Sequence, residues 1–278
     1  STNIDFTRSF ALYRFLSISI LTISLLAVSS LGFAEPGDVA DLQKTNISAV
    51  AKNIKNFLNP DKLHLRSTVA LVLDQDTDQV LFSRKDEKSM PIASITKLLT
   101  AMVLLDAKLN MDEPIEILSV DKDRKRWSRS RLRTGTVLNR NDLLELALMA
   151  SENRAAYALA RTYPGGVHAF IRAMNRKAQL IGMSNSHFVD PTGLDSENVA
   201  SARDLSKMLD AAFDYPVIRE YTTQPWGLVF SNRRLMKIRN TNRLVQTSNW
   251  QIGLSKTGFL NDAGHCLVMQ ARILQQWE

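Results

Sequence analysis

Ser94 and Lys97 stand three apart in Pro91-Ile92-Ala93-Ser94-Ile95-Thr96-Lys97, at the head of the apolar run Leu98-Leu99-Thr100-Ala101-Met102-Val103-Leu104-Leu105. Read as a helix, residues three apart share one face, one turn above the other. The Ser94 hydroxyl and the Lys97 amine then meet near the helix's N-terminal end. There the unpaired backbone N–H groups and the helix dipole favour negative charge. An apolar wall beside Lys97 disfavours its ammonium form, and a second cation nearby lowers its pKa further. An uncharged lysine touching a serine is an activated nucleophile that needs no histidine. Alone, the pair fits equally a serine N-cap on a buried helix, because Ser-x-x-Lys recurs by chance.

Two later clusters change the balance. Ser151-Glu152-Asn153 follows the apolar run Leu143 to Ala150, and Lys256-Thr257-Gly258 follows the strand-like stretch Trp250 to Ser255. The steps from Ser94 to Ser151 and from Ser151 to Lys256 are 57 and 105 residues. Each short pattern is weak by itself; all three in this order are specific. Other chemistries are poorly supplied. The four histidines, His64, His168, His187 and His265, are scattered without ligand spacing, so no metal and no cofactor are expected. Cys266 is the single cysteine and reads as a buried structural position on a strand.

These groups need elements to hold them. Thr68–Asp74 and Gln79–Ser83 read as a strand hairpin around a turn. Residues 114–138 read as irregular, with short strands at best. Asn139 is the expected N-cap of a helix with Asp142 three positions on, and Ser151 falls where that helix breaks before a second, from Glu152 to Arg161. A third helix is expected from about Val167 to Ile181, and Ser201 with Asp204 opens a fourth, to about Phe213. Trp226 to Met269 returns to strands. The order strands, helices, strands predicts an α+β fold, an antiparallel sheet packed against a helical block. A pocket between sheet edge and helices would collect Ser94, Ser151 and Lys256.

The remaining features bear on location and partners. Arg8 and Arg14 precede an uncharged run from Phe15 to Ala34 that ends Gly32-Phe33-Ala34, which reads as a secretory signal over 1–34, cleaved after Ala34. An uncleaved anchor is the alternative, since the run approaches the ~20 residues that span a bilayer. Membrane contact is expected only in that case. Residues 35–66 read as a tether with a modest helix over Asp38 to Leu58, and 67–278 as the functional domain, its sheet drawn from 67–90 and 226–278 around a helical block at 91–225. Of 35 Lys and Arg against 28 Asp and Glu, six crowd one stretch: Arg124, Lys125, Arg126, Arg129, Arg131 and Arg133. Export argues against nucleic acid as the partner. The stretch is either a solvated loop or a guide for an anionic polymer of the cell envelope.

Ser-x-x-Lys, Ser-Asp-Asn and Lys-Thr-Gly together resemble the three-part site of penicillin-interactive serine enzymes, here with Glu152 in the middle of the second part. Longer stretches sharpen this, among them Ala147 to Ala156, Tyr163-Pro164-Gly165-Gly166, Phe188 to Leu194, Ser201 to Leu205, Asn240 to Val245 and Lys256 to Phe259. Over roughly 66–270 the chain resembles the D-alanyl-D-alanine endopeptidases of the penicillin-binding protein 7 type, of β-lactamase/transpeptidase-like fold. The resemblance implies a periplasmic serine DD-peptidase acting on peptidoglycan cross-links and inhibited by β-lactams. It implies Ser94 as nucleophile, Lys97 as base and Ser151 as proton relay. Asn153, Lys256, Thr257, Gly258 and Phe259 would bind substrate, the backbone N–H groups of Ser94 and Phe259 holding the oxyanion. No Glu-x-x-x-Asn segment between Gly165 and Lys256 supplies the deacylating carboxylate of class A β-lactamases.

One departure stands out. In the resembled family a further strand follows the Cys266 strand and lies beside the Thr68–Asp74 strand before a final helix. Here Gln270-Ala271-Arg272 leads directly into Ile273 to Glu278, which resembles that helix. The expectation is a sheet with one strand missing near the C-terminus, split and less stable. Two other functions therefore stay open: a D-alanyl-D-alanine carboxypeptidase, and a non-catalytic wall-binding protein.

Overall fold

The computed structural model describes residues 65–231, 234–247 and 250–272. The expected signal (1–34), the tether helix over 38–58 and the closing helix over 273–278 lie outside the described residues.

Helix α1 (Thr96–Asp106) is the hub. Its residues from Thr96 to Leu104 are all buried, as an apolar segment without a polar face requires. Around it pack α2 (Arg140–Met149), α3 (Asn153–Arg161), α4 (Gly166–Leu180) and α5 (Ala202–Phe213). Asn139 caps α2 as expected, its Oδ1 accepting from Asp142 N at 2.6 Å. Ser201 caps α5 through Asp204 N at 3.1 Å. The capping box stays half open, however. The buried Asp204 carboxylate turns away to accept from Asn185 N (2.6 Å) and Ser186 Oγ (2.8 Å), tying down the loop before it. A further helix, α6 (Pro216–Thr223), fills the stretch between Phe213 and Trp226, to which the sequence reading assigns no element. Proline sits at its first turn, where a missing N–H costs nothing.

The strands form five two-stranded antiparallel pairs among the described residues. β1 (Ala70–Leu73) pairs with β2 (Val80–Arg84), and β3 (Met90–Pro91) with the short β6 (Val199–Ala200). β4 (Pro114–Glu116) pairs with β5 (Val137–Asn139), and β7 (Trp226–Ser231) with β8 (Arg234–Arg239). β9 (Gln251–Leu260) pairs with β10 (Gly264–Arg272) over its whole length. Helix α5 packs against β1, β9 and β10, yet no described strand joins the β1–β2 pair to the β9–β10 pair. The α+β arrangement holds, and the sheet is split where a strand was expected to be missing. Ala271 and Arg272 extend β10 itself.

One loop is bound to α1 with unusual density. Buried Asn198 donates to Thr96 Oγ1 (3.2 Å) and Asp190 O (2.9 Å), while its Oδ1 accepts from Val189 N (2.7 Å) and Asp190 N (3.1 Å). Thr100 Oγ1 donates to Pro191 O at 2.7 Å. Gly193 closes the turn at φ +81, where a Cβ would stand 1.9 Å from Ala93 O. Neither that backbone angle nor that space admits a side chain. Gly193→Ala should therefore lower unfolding stability by about 2 kcal/mol or more, read from the shift of the denaturant midpoint. A midpoint equal to wild type would refute this account of the turn.

Candidate active site

Ser94 does not begin the long helix, as its spacing from Lys97 suggested. It sits on a separate 3-10 turn, Ala93–Ile95, just ahead of α1. Ala93 takes φ +49, a left-handed conformation that a residue with a Cβ adopts only when its surroundings impose it. The turn is wedged between Gly193 and β9. A Cβ on Gly258 would lie 3.0 Å from both Ser94 N and Ala93 Cβ, so the bare glycine lets strand β9 press against the Ser94 backbone.

Lys97 is buried and its Nζ touches three oxygens: Ser94 Oγ at 2.8 Å, Asn153 Oδ1 at 2.7 Å and Thr192 O at 2.7 Å. Two of these, an amide oxygen and a backbone carbonyl, can only accept. An uncharged amine has two N–H bonds for them and one lone pair left, directed at the only partner able to donate, the Ser94 hydroxyl. Burial lowers the Lys97 pKa to about 7, against a partial opposing pull from the Asp190 and Glu152 carboxylates. The neutral base inferred from sequence is thus available near neutral pH.

The other two clusters arrive at the same place. Ser151 lies between α2 and α3 at φ +57, a second strained residue. Its Oγ accepts from Lys256 Nζ at 3.0 Å, and that amine also donates to Thr257 O at 3.0 Å. Lys256 is buried; burial, then the nearby Lys97 charge, pulls its pKa well below the ordinary range. Glu152 in the middle of the motif caps α3, accepting from Arg154 N at 3.2 Å. Asn153 reaches back with Oδ1 to Lys97, and its Nδ2 donates to Ser128 Oγ at 3.0 Å. Thr257 Oγ1 donates to Thr241 Oγ1 at 2.6 Å. Phe259 is exposed and packs on His265, ring centroids 4.6 Å apart.

A cavity of about 620 Å³ opens over these groups, lined by Ser94, Ser151, Thr257, Gly258 and Phe259 from the predicted set. Lys97, Asn153 and Lys256 stand behind that lining. Three polar residues on its wall, Thr241, Asn242 and Arg243, had been noted only as part of a resembled stretch. Cys266 also lines the cavity and is half buried, which corrects its reading as a buried structural position. On β10 it lies opposite Gly258, a register that β-strand spacing alone could not reveal. Asp190 and Thr192 were likewise missed as supports of the site. The Asp190 carboxylate gathers the N–H groups of Thr192 (2.5 Å), Gly193 (2.7 Å) and Asp195 (2.7 Å), fixing the carbonyl that Lys97 contacts.

Comparison with known proteins agrees with this geometry. The D-alanyl-D-alanine carboxypeptidase family matches residues 56–276. A protein of Pseudomonas aeruginosa named D-alanyl-D-alanine endopeptidase is 49% identical over 77% of this chain and 70% of its own length. One of Escherichia coli with the same name is 48% identical over 75% of this chain and 68% of its own. Among solved structures, a Streptomyces DD-transpeptidase superposes with a TM-score of 0.66 at 27% identity, over 75% of this chain and 87% of that one.

The amine environment sets a pH prediction. Because Lys97 titrates lower in the folded than in the unfolded chain, the unfolded state binds more protons between about 7 and the ordinary 10.5. Lys97 therefore makes the fold more stable as pH rises through that window, and its contribution is lost towards pH 7. In a lysine Cε-labelled sample, one resonance absent from Lys97→Met should titrate near 7. A Lys97 signal that titrates with the bulk lysines would overturn the neutral-base reading.

Proposed function

The chain belongs to the D-alanyl-D-alanine carboxypeptidase family of serine peptidases, and we propose that it cleaves D-alanyl cross-link bonds of peptidoglycan through an acyl-enzyme on Ser94. The observation that carries this reading is the Lys97 amine, buried and shared between Ser94 Oγ and two obligate acceptors. Ser94 Oγ attacks the D-alanyl carbonyl and its proton passes to Lys97 Nζ. Developing negative charge on the carbonyl oxygen is held by the backbone N–H groups of Ser94 and Phe259; one such donor is worth ~2.7–4 kcal/mol in a comparable site. Ser151, held by Lys256, relays to the departing amine the proton that Lys97 took up, which leaves Lys97 uncharged again. Water then attacks the acyl carbonyl with Lys97 again as base, releasing the acid and restoring Ser94.

Substrate placement follows from the same strand. The peptide lies along β9, where Gly258 leaves room, with Asn153 bonding its backbone amide and Thr257 its carboxylate. The two relatives near half identity are both named endopeptidases, whereas relatives of Bacillus subtilis and Mycobacterium tuberculosis named carboxypeptidase are 29% and 31% identical. That favours cross-links over terminal D-alanine as the bond cut. Export through residues 1–34 to the periplasm, and inhibition by β-lactams, belong to the same reading.

Mass spectrometry after incubation with benzylpenicillin should find one adduct, on Ser94, and none in Ser94→Ala. A label that survives this substitution removes Ser94 as nucleophile. A chain that takes no label at all would favour the wall-binding alternative. Purified cross-linked dimers of wall peptides should be split faster than pentapeptides lose D-alanine; the opposite preference would make the protein a carboxypeptidase.

A further inference from the structure

We propose that the groove between α2, α6 and the start of β7 is a second binding site, with Glu145 as the anionic floor that receives a primary alkylammonium group. The groove encloses about 610 Å³ and is lined chiefly by Glu145, Glu220, Tyr221, Gln224, Trp226 and Leu228. It shares no lining residue with the cavity over Ser94.

Glu145 is only 9% exposed. Among the described residues no hydrogen bond or ion pair reaches its carboxylate, and its charged neighbours, Asp142 and Glu220, are both acidic. A buried carboxylate with neither donor nor cation is strongly disfavoured. Burial first, then those two carboxylates, hold its carboxyl above the usual range. The groups able to relieve it are otherwise engaged. Tyr221 donates its hydroxyl to Asn141 Oδ1 at 2.9 Å, and Gln224 Nε2 donates to Glu220 Oε1 at 3.1 Å. Gly227 provides the room: a Cβ there would stand 2.0 Å from Glu145 Oε1. The sequence thus keeps a side chain off β7 where the carboxylate comes up against the strand.

The walls select among cations. A hard metal ion wants six or more oxygens, and no group of three or more His, Cys, Asp or Glu among the described residues could hold one. Glu145 and Glu220 offer separate acceptors at floor and rim. Such a pair suits a compact ammonium with three donors better than a planar guanidinium, which seeks both oxygens of one carboxylate. Trp226 and Leu228, each about half exposed, alternate with Gly227 along β7 and add apolar surface at the edge of the groove. The Trp226 ring already attracts an ammonium: Lys237 Nζ lies 4.7 Å from its centroid. The ligand is therefore the amine end of a free diamine or of a diamino-acid residue in a peptide.

Calorimetry on the full chain tests this with pentane-1,5-diamine, with Nα-acetyl-lysine N-methylamide, and with pentanol as the uncharged control. Saturable binding of either ammonium probe, weakened roughly tenfold or more by Glu145→Gln and unchanged by Ser94→Ala, supports the site. The tighter of the two probes then identifies the source of the amine. Retained penicillin labelling of Glu145→Gln shows that the variant is folded, and keeps this test separate from the catalytic reading. A readout needing no variant is the Glu145 carboxyl carbon resonance, which a bound ammonium moves towards the carboxylate position and pentanol does not. Equal binding by wild type and Glu145→Gln, or no saturation by either probe at millimolar concentration, overturns the proposal.

Discussion

An amine buried in protein must find partners or lose its proton, and at Lys97 both happen together. Its three oxygen contacts come from three separate parts of the chain: the Ser94 turn, the head of α3 at Asn153 and the 190–193 turn at Thr192. Burial dominates its electrostatics, and the Asp190 and Glu152 carboxylates only partly restore the charged form. The balance leaves an amine that gives up its proton near neutral pH. Lys256 repeats the arrangement on the other side of the cleft, buried and depressed further by the charge of Lys97. Two lysines that repel one another are thus held within one site by the core around α1 and by strand β9.

Holding them strains the backbone. Ala93 and Ser151 both occupy left-handed conformations that cost of order 1–3 kcal/mol each outside glycine. Each stands at or beside a reactive hydroxyl, and each is over-determined by its surroundings. Ala93 is trapped between the Gly193 turn and Gly258 on β9. Ser151 is fixed by Glu152 N donating to Leu146 O and by the Lys256 contact.

The basic stretch acquires a place in this scheme. Lys125 pairs with Asp195, and Arg126 reaches Asp262 in the turn between β9 and β10 at 2.5 Å. Ser128 of the same loop meets Asn153. The loop therefore ties the helical side of the cleft to the strand side. Part of its charge is spent inside the protein, while Trp127 stands 79% exposed.

Much of this was legible in the chain. Ser94 and Lys97 are one turn apart whatever the helix type, so their contact followed from spacing alone. The caps at Asn139 and Ser201 and the return to strands after Trp226 followed from local chemistry, because each depends on neighbours a few residues away. The convergence of Ser151 and Lys256 on Ser94 was expected from the order of elements and from the resemblance, since nothing local fixes a distance across 57 or 105 residues. What the folded chain alone decided was every relation set by strand register and by long-range packing. Cys266 enters the cavity wall because β10 pairs it with Gly258; Thr192 meets Lys97 because Asn198 anchors its loop to α1; Glu145 is stranded beneath β7 because Gly227 lets it in. Sequence encodes residue types and short periods, whereas burial, and with it the charge state of Lys97, Lys256 and Glu145, exists only once distant segments have excluded water from around them.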